Sequence, residues 1–221
     1  MTGRLASCGR QTAWCVAAAL LWTATAMPAA AAMPPANEWN FQVALDGTPI
    51  GEHRFRLSAP AAQERVLTSE ARFAVKLLGL VVYRYRHDAR ELWRDGCLEA
   101  ITAETQDDGK VNKVDLRFPA PGSATPPAEG MPACTLSFAY WNPAIRSQTQ
   151  LLNAQTGKID AVQVVRQGEG TLDVRGETVA AVRWRITGLP HPIDLWYAAD
   201  GAWIGLDSTV GSGRRLSYRL K

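Results

Sequence analysis

The sequence predicts an all-β protein, mainly antiparallel, with a meander sheet that curves and closes into a barrel or half-barrel. Three observations predict this class. Apolar and polar residues alternate with a period of two from Trp39 onward, glycine-containing turns separate the alternating runs, and only one convincing helix start occurs. That helix is expected to be short and to lie near residues 143–153.

The first 32 residues have the pattern of a cleaved signal peptide. Arg4 and Arg10 precede an apolar run at 13–26, and three small residues at 30–32 form a typical cleavage site. The run is shorter than the roughly 20 residues that a membrane-spanning helix needs, so cleavage is favoured over anchoring. We therefore expect a periplasmic or secreted protein with no transmembrane segment in the mature chain, and residues 33–221 as one β-rich domain.

The first half of that domain is predicted to form successive β-hairpins. Four apolar residues of the first strand share one face, namely Trp39, Phe41, Val43 and Leu45. Asp46-Gly47 is a typical two-residue hairpin turn, and on the returning strand His53 and Phe55 share a face. Further strands are expected near 65–76, 81–93, 98–105 and 111–118. Because every connection is short, neighbouring strands should be antiparallel.

The middle of the chain differs from the rest in composition and periodicity. Residues 119–132 are rich in Pro, Gly, Ala and Ser without periodicity, which predicts an exposed loop. Asn142 can cap a helix that begins at Pro143, and Ile145 and the pair Leu151-Leu152 continue a loose helical stripe. The remaining strands are expected near 159–166, 171–175, 179–187, 192–198, 202–209 and 214–220.

About a dozen strands and one short helix leave an apolar sheet face without a helical cover. Six of the eight tryptophans lie beyond the leader. Two outcomes are open: the sheet closes around packed aromatic side chains, or it keeps a concave apolar groove that holds a hydrophobic guest.

Two cysteines lie beyond the leader, Cys97 and Cys134. In an oxidising compartment such a pair is expected to form a disulfide. The open alternative is a nucleophilic Cys97 with His87 as its base, although no orienting carboxylate or oxyanion motif accompanies them.

Signatures of other function classes are missing. The three histidines, His53, His87 and His191, form no close-spaced ligand pair, so no metal and no cofactor are expected. No nucleophile elbow, phosphate loop or dinucleotide fingerprint occurs, and a non-catalytic protein is expected. The formal net charge of +3 and the scattered basic residues indicate no binding of nucleic acid.

Arginine alternates with aromatic residues at Arg84-Tyr85 and at Arg183-Trp184-Arg185. Alternation places each arginine and the adjacent ring on opposite faces of the strand. An arginine can therefore stack only on an aromatic ring that belongs to a neighbouring strand. A solvated outer face is the favoured interpretation, and an arginine-rimmed pocket for an anionic head group is the alternative.

Four segments carry a resemblance: Trp93-Arg94-Asp95-Gly96-Cys97-Leu98, Phe138-Ala139-Tyr140-Trp141-Asn142-Pro143, Gln155-Thr156-Gly157 and Asp194-Leu195-Trp196-Tyr197-Ala198. With the Leu45-Asp46-Gly47 turn, they make the chain resemble a family of uncharacterised exported proteins of Gram-negative bacteria. More remotely it is similar to curved-sheet periplasmic lipoprotein carriers, which shelter acyl chains in a half-barrel. The first likeness implies no activity, and the second implies only a fold.

The leading hypothesis is a periplasmic protein that binds a hydrophobic or lipid-like ligand in its concave sheet. The expected wall residues are Tyr140, Trp141, Trp184 and Trp196. The alternative is an envelope interaction module that uses residues 138–153 as a surface for docking a protein partner; an exposed aromatic patch at Trp141 would support it.

Overall fold

Strands make up nearly all regular structure in the computed structural model, which describes residues 37–119, 122–123, 132–211 and 213–221. The predicted signal peptide (1–32) and most of the predicted loop (119–132) lie outside these ranges. The described strands are β1 (Glu38–Leu45), β2 (Thr48–Ser58), β3 (Glu64–Leu77), β4 (Leu80–Arg94), β5 (Cys97–Asp107), β6 (Lys110–Arg117), β7 (Gln150–Leu152), β8 (Ile159–Ala161), β9 (Gln163–Val174), β10 (Glu177–Thr187), β11 (Ile193–Ala198), β12 (Trp203–Val210) and β13 (Arg214–Leu220). One 3₁₀ helix spans Pro143–Ser147 in the described chain.

Eleven of these strands form one sheet, in the order β6-β5-β4-β3-β2-β1-β13-β12-β11-β10-β9, and β7 pairs with β8 separately. Each pairing within the large sheet is antiparallel, and β1 joins β13 at its centre. The predicted all-β antiparallel class is confirmed. The sheet is curved but not closed, because β6 and β9 remain edge strands in the part of the chain described.

Two-residue turns set the register of the hairpins. Both turn residues have positive φ at Asp46-Gly47, Asp95-Gly96 and Asp108-Gly109, with φ near 50° followed by φ near 80°. This geometry matches the twist of antiparallel strands, and Asp-Gly adopts it at little cost. Leu78-Gly79 and Arg175-Gly176 adopt it as well.

The apolar face of β1 packs into the centre of the core. All four predicted inward residues of this strand are buried. The ring of Phe41 lies 4.4 Å from that of Trp203, measured between centroids, and Trp203 also contacts Phe55 and Tyr140 at 5.2 Å each. Packed aromatic side chains therefore fill one part of the concave side of the sheet.

The predicted helix is shorter than expected. Asn142 caps it by accepting a hydrogen bond from the Ala144 amide at 3.0 Å, as the sequence indicates, but it ends at Ser147 after one 3₁₀ turn. Leu151 and Leu152 belong to β7 instead of a helix, which corrects the prediction for 148–153. The Leu152 amide donates to the carbonyl of Leu136 at 2.8 Å, and this pairing replaces the hydrogen bonds that further helical turns would have made.

Residues 134–158, which we call the cover, lie across the concave face. A disulfide joins Cys134 to Cys97 at the start of β5, with their Cα atoms 5.1 Å apart, and so confirms the predicted bond. The Leu98 amide donates to the Thr135 carbonyl at 2.8 Å. At the other side of the sheet, the Tyr197 hydroxyl donates to the Tyr140 carbonyl at 2.8 Å. The cover is thus attached to both halves of the sheet.

Gly51 is expected to tolerate no side chain. Its φ is +152°, and a Cβ atom there would lie 1.9 Å from the carbonyl oxygen of Arg72 on β3. We expect Gly51→Ala to lower the free energy of unfolding by about 2 kcal/mol, measured by urea denaturation. Gly168→Ala is the control, because Gly168 also has positive φ, but apart from its chain neighbours no described residue has a heavy atom within 4 Å of the added carbon. An equal loss in the two variants would show that the contact with Arg72 has no effect.

Candidate functional site

A cavity of about 250 Å³ lies between the concave face of the sheet and the cover. Its apolar wall includes Phe55, Leu67, Phe138, Ile193, Leu206 and Leu216. These side chains come from β2, β3, β11, β12, β13 and the cover. The cavity exists because the sheet curves far enough to bring β2 and β11 to the same space.

His53 presents the least satisfied polar atom of the cavity. Its Nε2 lies 2.7 Å from the Ser69 hydroxyl on the next strand, and its ring stacks on Phe55 with 4.0 Å between centroids. Its Nδ1 is buried and has no hydrogen-bond partner among the residues that the structure describes. Burial, with the nearby His87 and Arg72, holds the pKa of His53 well below its usual value, so the ring is neutral at pH 7. A buried polar atom without a partner is costly, and a ligand group could satisfy it.

His87 lies on the same wall, 6.5 Å from His53 between ring centroids. Its Nδ1 is 2.9 Å from the Thr105 hydroxyl on β5. Burial lowers the pKa of His87 to about 4, although the nearby Asp88 opposes this shift. Both imidazoles are therefore uncharged near neutral pH, and each already has one hydroxyl partner.

Glu91 is the only carboxyl group that lines the cavity in the described chain. One of its oxygens accepts a hydrogen bond from the indole of Trp93 at 2.9 Å. Burial raises the pKa of Glu91 to about 7, although hydrogen bonds to the carboxylate lower it in part. Near neutral pH this carboxyl group therefore binds a proton much more readily than an exposed glutamate does.

Phenol groups complete the polar part of the wall. Tyr85, Tyr140 and Tyr218 all line the cavity, and burial raises the pKa of each of them above the usual value. They remain hydroxyl groups at any physiological pH. No Lys or Arg lines the cavity in the residues that the structure describes. The arrangement offers neutral hydrogen-bonding groups beside an apolar wall.

The four predicted wall residues are not brought together. Tyr140 lines the cavity. Trp141 lies in the cover and packs edge-on against the buried Trp93, with 5.5 Å between ring centroids. Trp184 contacts the guanidinium of Arg146, 5.3 Å from the ring centroid. Neither of these two tryptophans lines the cavity.

Trp196 lies on the opposite, convex face of the sheet. Its neighbours Leu195 and Tyr197 are buried on the concave side, so the alternation of β11 turns Trp196 outward. There its indole donates to Asp207 at 2.8 Å, and Arg183 stacks on its ring from the paired strand at 5.6 Å. The predicted stacking between neighbouring strands is thus observed, on the outer face of the sheet.

Asp207 organises this outer face. It is nearly buried and accepts hydrogen bonds from Arg219 at 2.8 Å and Arg215 at 3.2 Å, in addition to the Trp196 indole. These arginines therefore neutralise a carboxylate on the outer face of the sheet and form no rim of the cavity.

The disulfide excludes the alternative in which Cys97 is a nucleophile, because its sulfur is bonded to that of Cys134. No group of three or more His, Cys, Asp or Glu side chains is placed to hold a metal ion in the described ranges. No helix there is long and apolar enough to cross a membrane.

Comparison with known proteins gives the family of the chain. The family model described as domain of unknown function DUF6134 matches residues 41–221, which includes every strand that lines the cavity. The chain belongs to the DUF6134 family. No curated protein matches this DUF6134 member.

The DUF6134 chain is also similar to a solved structure, a β-barrel-like protein of domain of unknown function DUF1849 from Brucella abortus. The TM-score is 0.52 at 11% sequence identity, over 84% of this chain and 95% of that chain. At that identity the likeness supports the fold alone. It agrees with a curved antiparallel sheet as the architecture of the DUF6134 member.

Proposed function

We propose that this protein is an exported, non-catalytic binding protein that holds a small amphiphile in the cavity beneath the cover. One observation carries the proposal: His53 lines an apolar cavity of about 250 Å³, and among the described residues its buried Nδ1 has no hydrogen-bond partner. Ligand sites typically combine an apolar wall with a few convergent polar groups. The volume suits a short aliphatic chain with a small head.

The chemistry of the wall favours an uncharged head group. A carboxylate or phosphate would lose its hydration without gaining a cation, since no Lys or Arg is among the described lining residues. The ionised form of Glu91 would also repel it. A hydroxyl or amide head avoids both costs and can hydrogen-bond to His53 and to the phenols.

Export is supported by the leader pattern of residues 1–32 and by the disulfide, since such bonds persist mainly outside the cytoplasm. The resemblance to lipoprotein carriers, which hold acyl chains in a half-barrel, belongs to this proposal too. The alternative docking role for 138–153 has less support, because Trp141 packs against Trp93 and Ala139 and Ile145 are buried.

A matched pair of ligands tests the proposal by isothermal titration calorimetry. Octanol and octanoate share one tail and differ in head charge. We expect octanol to bind and octanoate to bind at least about tenfold more weakly at about pH 8, because its charge must be desolvated. Equal affinities would contradict the assignment of an uncharged head group.

A cavity-filling variant locates the binding site. Ala89 lines the cavity, so Ala89→Phe is expected to abolish octanol binding. Ala180→Phe, at an exposed position on β10, is the control and should bind octanol as the wild type does. Thermal melting of each variant shows whether it is folded. Unchanged binding by folded Ala89→Phe would place the ligand elsewhere.

A further inference from the structure

The β3–β4 hairpin extends beyond the rest of the sheet. β2 pairs with β3 only as far as Phe73, and β5 pairs with β4 only from Tyr85 onward. Within the described part of the chain, the two strands pair only with each other between these points, and they end in the Leu78-Gly79 turn. Three residue pairs beyond Arg84 extend this ribbon by roughly 10 Å. We call residues 75–83 the ribbon.

The end of the ribbon is apolar and exposed. Leu77 is 63% exposed, Leu78 is 96% exposed and Leu80 is 72% exposed, and Val81 and Val82 follow them directly. Hairpin turns are usually polar, and each of the other four described two-residue turns with two positive φ values has Asp or Arg before its glycine. A contiguous apolar surface of this kind normally marks an interaction site.

Basic side chains surround the base of the ribbon. Lys76, Arg84 and Arg86 are exposed, and none of them forms a salt bridge with a described residue. Further along the same two strands, Asp88 on β4 is paired with Arg72 on β3. The stretch from 75 to 87 contains no acidic residue.

Two acidic residues do face the ribbon, at the β5–β6 turn. The Asp107 carboxylate accepts a hydrogen bond from the Tyr83 hydroxyl at 2.7 Å, and the Asp108 amide donates to the Arg84 carbonyl at 2.8 Å. These contacts brace the ribbon at its base, so the apolar end is held in an extended position.

We propose that the β3–β4 ribbon is a membrane-contact element that places Leu77, Leu78 and Leu80 in the interface of an anionic bilayer. The apolar residues are consecutive, so side chains on both faces of the ribbon are apolar, as insertion into lipid requires. A protein groove would cover one face only. The three cations lie behind the apolar end, where they would meet the phosphate groups of the lipid.

Insertion must be shallow. The outer edges of the ribbon carry backbone amides and carbonyls that have no strand partner among the described residues, and these groups cannot enter the hydrocarbon core unsatisfied. The turn and the leucine side chains therefore enter the interface, while the backbone edges stay hydrated.

The ribbon also continues one wall of the cavity. The inward row of β4 runs through Glu91, Ala89, His87 and Tyr85, all of which line the cavity, and then reaches the ribbon. Membrane contact would place this end of the cavity near the bilayer. The proposal itself does not rest on the cavity and holds whether or not a ligand binds there.

Vesicle co-flotation of the purified chain tests the proposal. Vesicles of phosphatidylcholine are compared with vesicles that also contain phosphatidylglycerol. We expect the wild type to bind best to the anionic vesicles, and Leu78→Ser/Leu80→Ser to reduce partitioning at least about tenfold, because two leucines no longer enter the bilayer. Arg84→Gln/Arg86→Gln should remove the preference for phosphatidylglycerol, by about tenfold.

Val165→Ser is the matched control, since Val165 is a partly exposed apolar strand residue on β9. All variants share the same N-terminus, so any contribution of residues 1–32 is equal among them. Binding by Leu78→Ser/Leu80→Ser at the wild-type level would overturn the proposal, as would no vesicle binding by the wild type. A dimer that forms in solution, and that this variant abolishes without any vesicle binding, would instead assign the ribbon to self-association and also overturn it.

Discussion

Loss of the Cys97–Cys134 disulfide is expected to lower the free energy of unfolding by about 4 kcal/mol, since the bond closes a loop with a sequence separation of 37 residues. The same bond fixes the start of the cover to β5. The double variant Cys97→Ala/Cys134→Ala should therefore also bind octanol more weakly, because the cover that carries Phe138 and Tyr140 must then be ordered on binding.

Urea denaturation of the double variant and of the wild type, each with and without a thiol reductant, measures the stability change. The reductant should lower the stability of the wild type to that of the variant and leave the variant unchanged. Stability of the variant within about 1 kcal/mol of the oxidised wild type would contradict the assigned role of the disulfide.

Glu91→Gln is expected to stabilise the protein in a pH-dependent way. The pKa of Glu91 in the folded state is about 7, above the usual 4.5, so the folded protein binds this proton more tightly than the unfolded chain does. The contribution of this group to stability is fully present below about pH 4.5 and is lost as the pH rises to about 7, a change of about 3 kcal/mol. Glutamine keeps an oxygen that can accept the hydrogen bond from Trp93.

The variant should therefore be more stable than the wild type by about 3 kcal/mol at about pH 8 and equal to it at about pH 4. His87 acts in the opposite direction to Glu91. Because its pKa is lowered in the folded state, it reduces the stability of the folded protein as the pH falls from about 6.5 to about 4. Because Glu91→Gln and the wild type both contain His87, this contribution cancels when their free energies of unfolding are subtracted at each pH.

Glu177→Gln, at an exposed position on β10, provides the control for the loss of one carboxyl group. Urea denaturation across this pH range is the measurement. A constant difference between Glu91→Gln and the wild type would show that Glu91 does not titrate with a raised pKa in the folded state.

Local signals in the sequence predict most of the sheet. The Asp46-Gly47, Asp95-Gly96 and Asp108-Gly109 turns fix three hairpins, and the alternation of β1 gives the inward face correctly. The capped start at Asn142 is a local signal, and it predicts a helix that continues through Leu151 and Leu152. Their pairing with the segment near Leu136 depends on the tertiary fold, which local signals do not contain.

The polar side of the cavity could be predicted in part. Alternation along β4 places His87 and Glu91 on the same face as the buried Trp93, and a carboxyl group in such a row indicates either a partner or a perturbed pKa. Glu91 belongs to no motif with close spacing, so no such motif singles it out in the sequence. The approach of His53 to His87 requires the pairing of β2, β3 and β4, which only the folded sheet provides.

The tryptophan predictions failed to identify the wall for a different reason. Alternation along β11 turns Trp196 to the convex face, and Trp184 contacts the guanidinium of Arg146 in the cover. Where the cover crosses the sheet depends on the tertiary fold, which local signals do not contain. Trp203 lies at the centre of the aromatic core, and no local pattern in the sequence distinguishes it from the other five tryptophans beyond the leader.

A crystal structure of the protein with octanol at saturation would test the ligand assignment most directly. We expect the octanol hydroxyl within hydrogen-bonding distance of Nδ1 of His53, and its chain against Leu67 and Leu206 beneath the cover. A cavity filled only by water under these conditions, with octanol bound at another surface or not bound at all, would contradict a function based on this cavity.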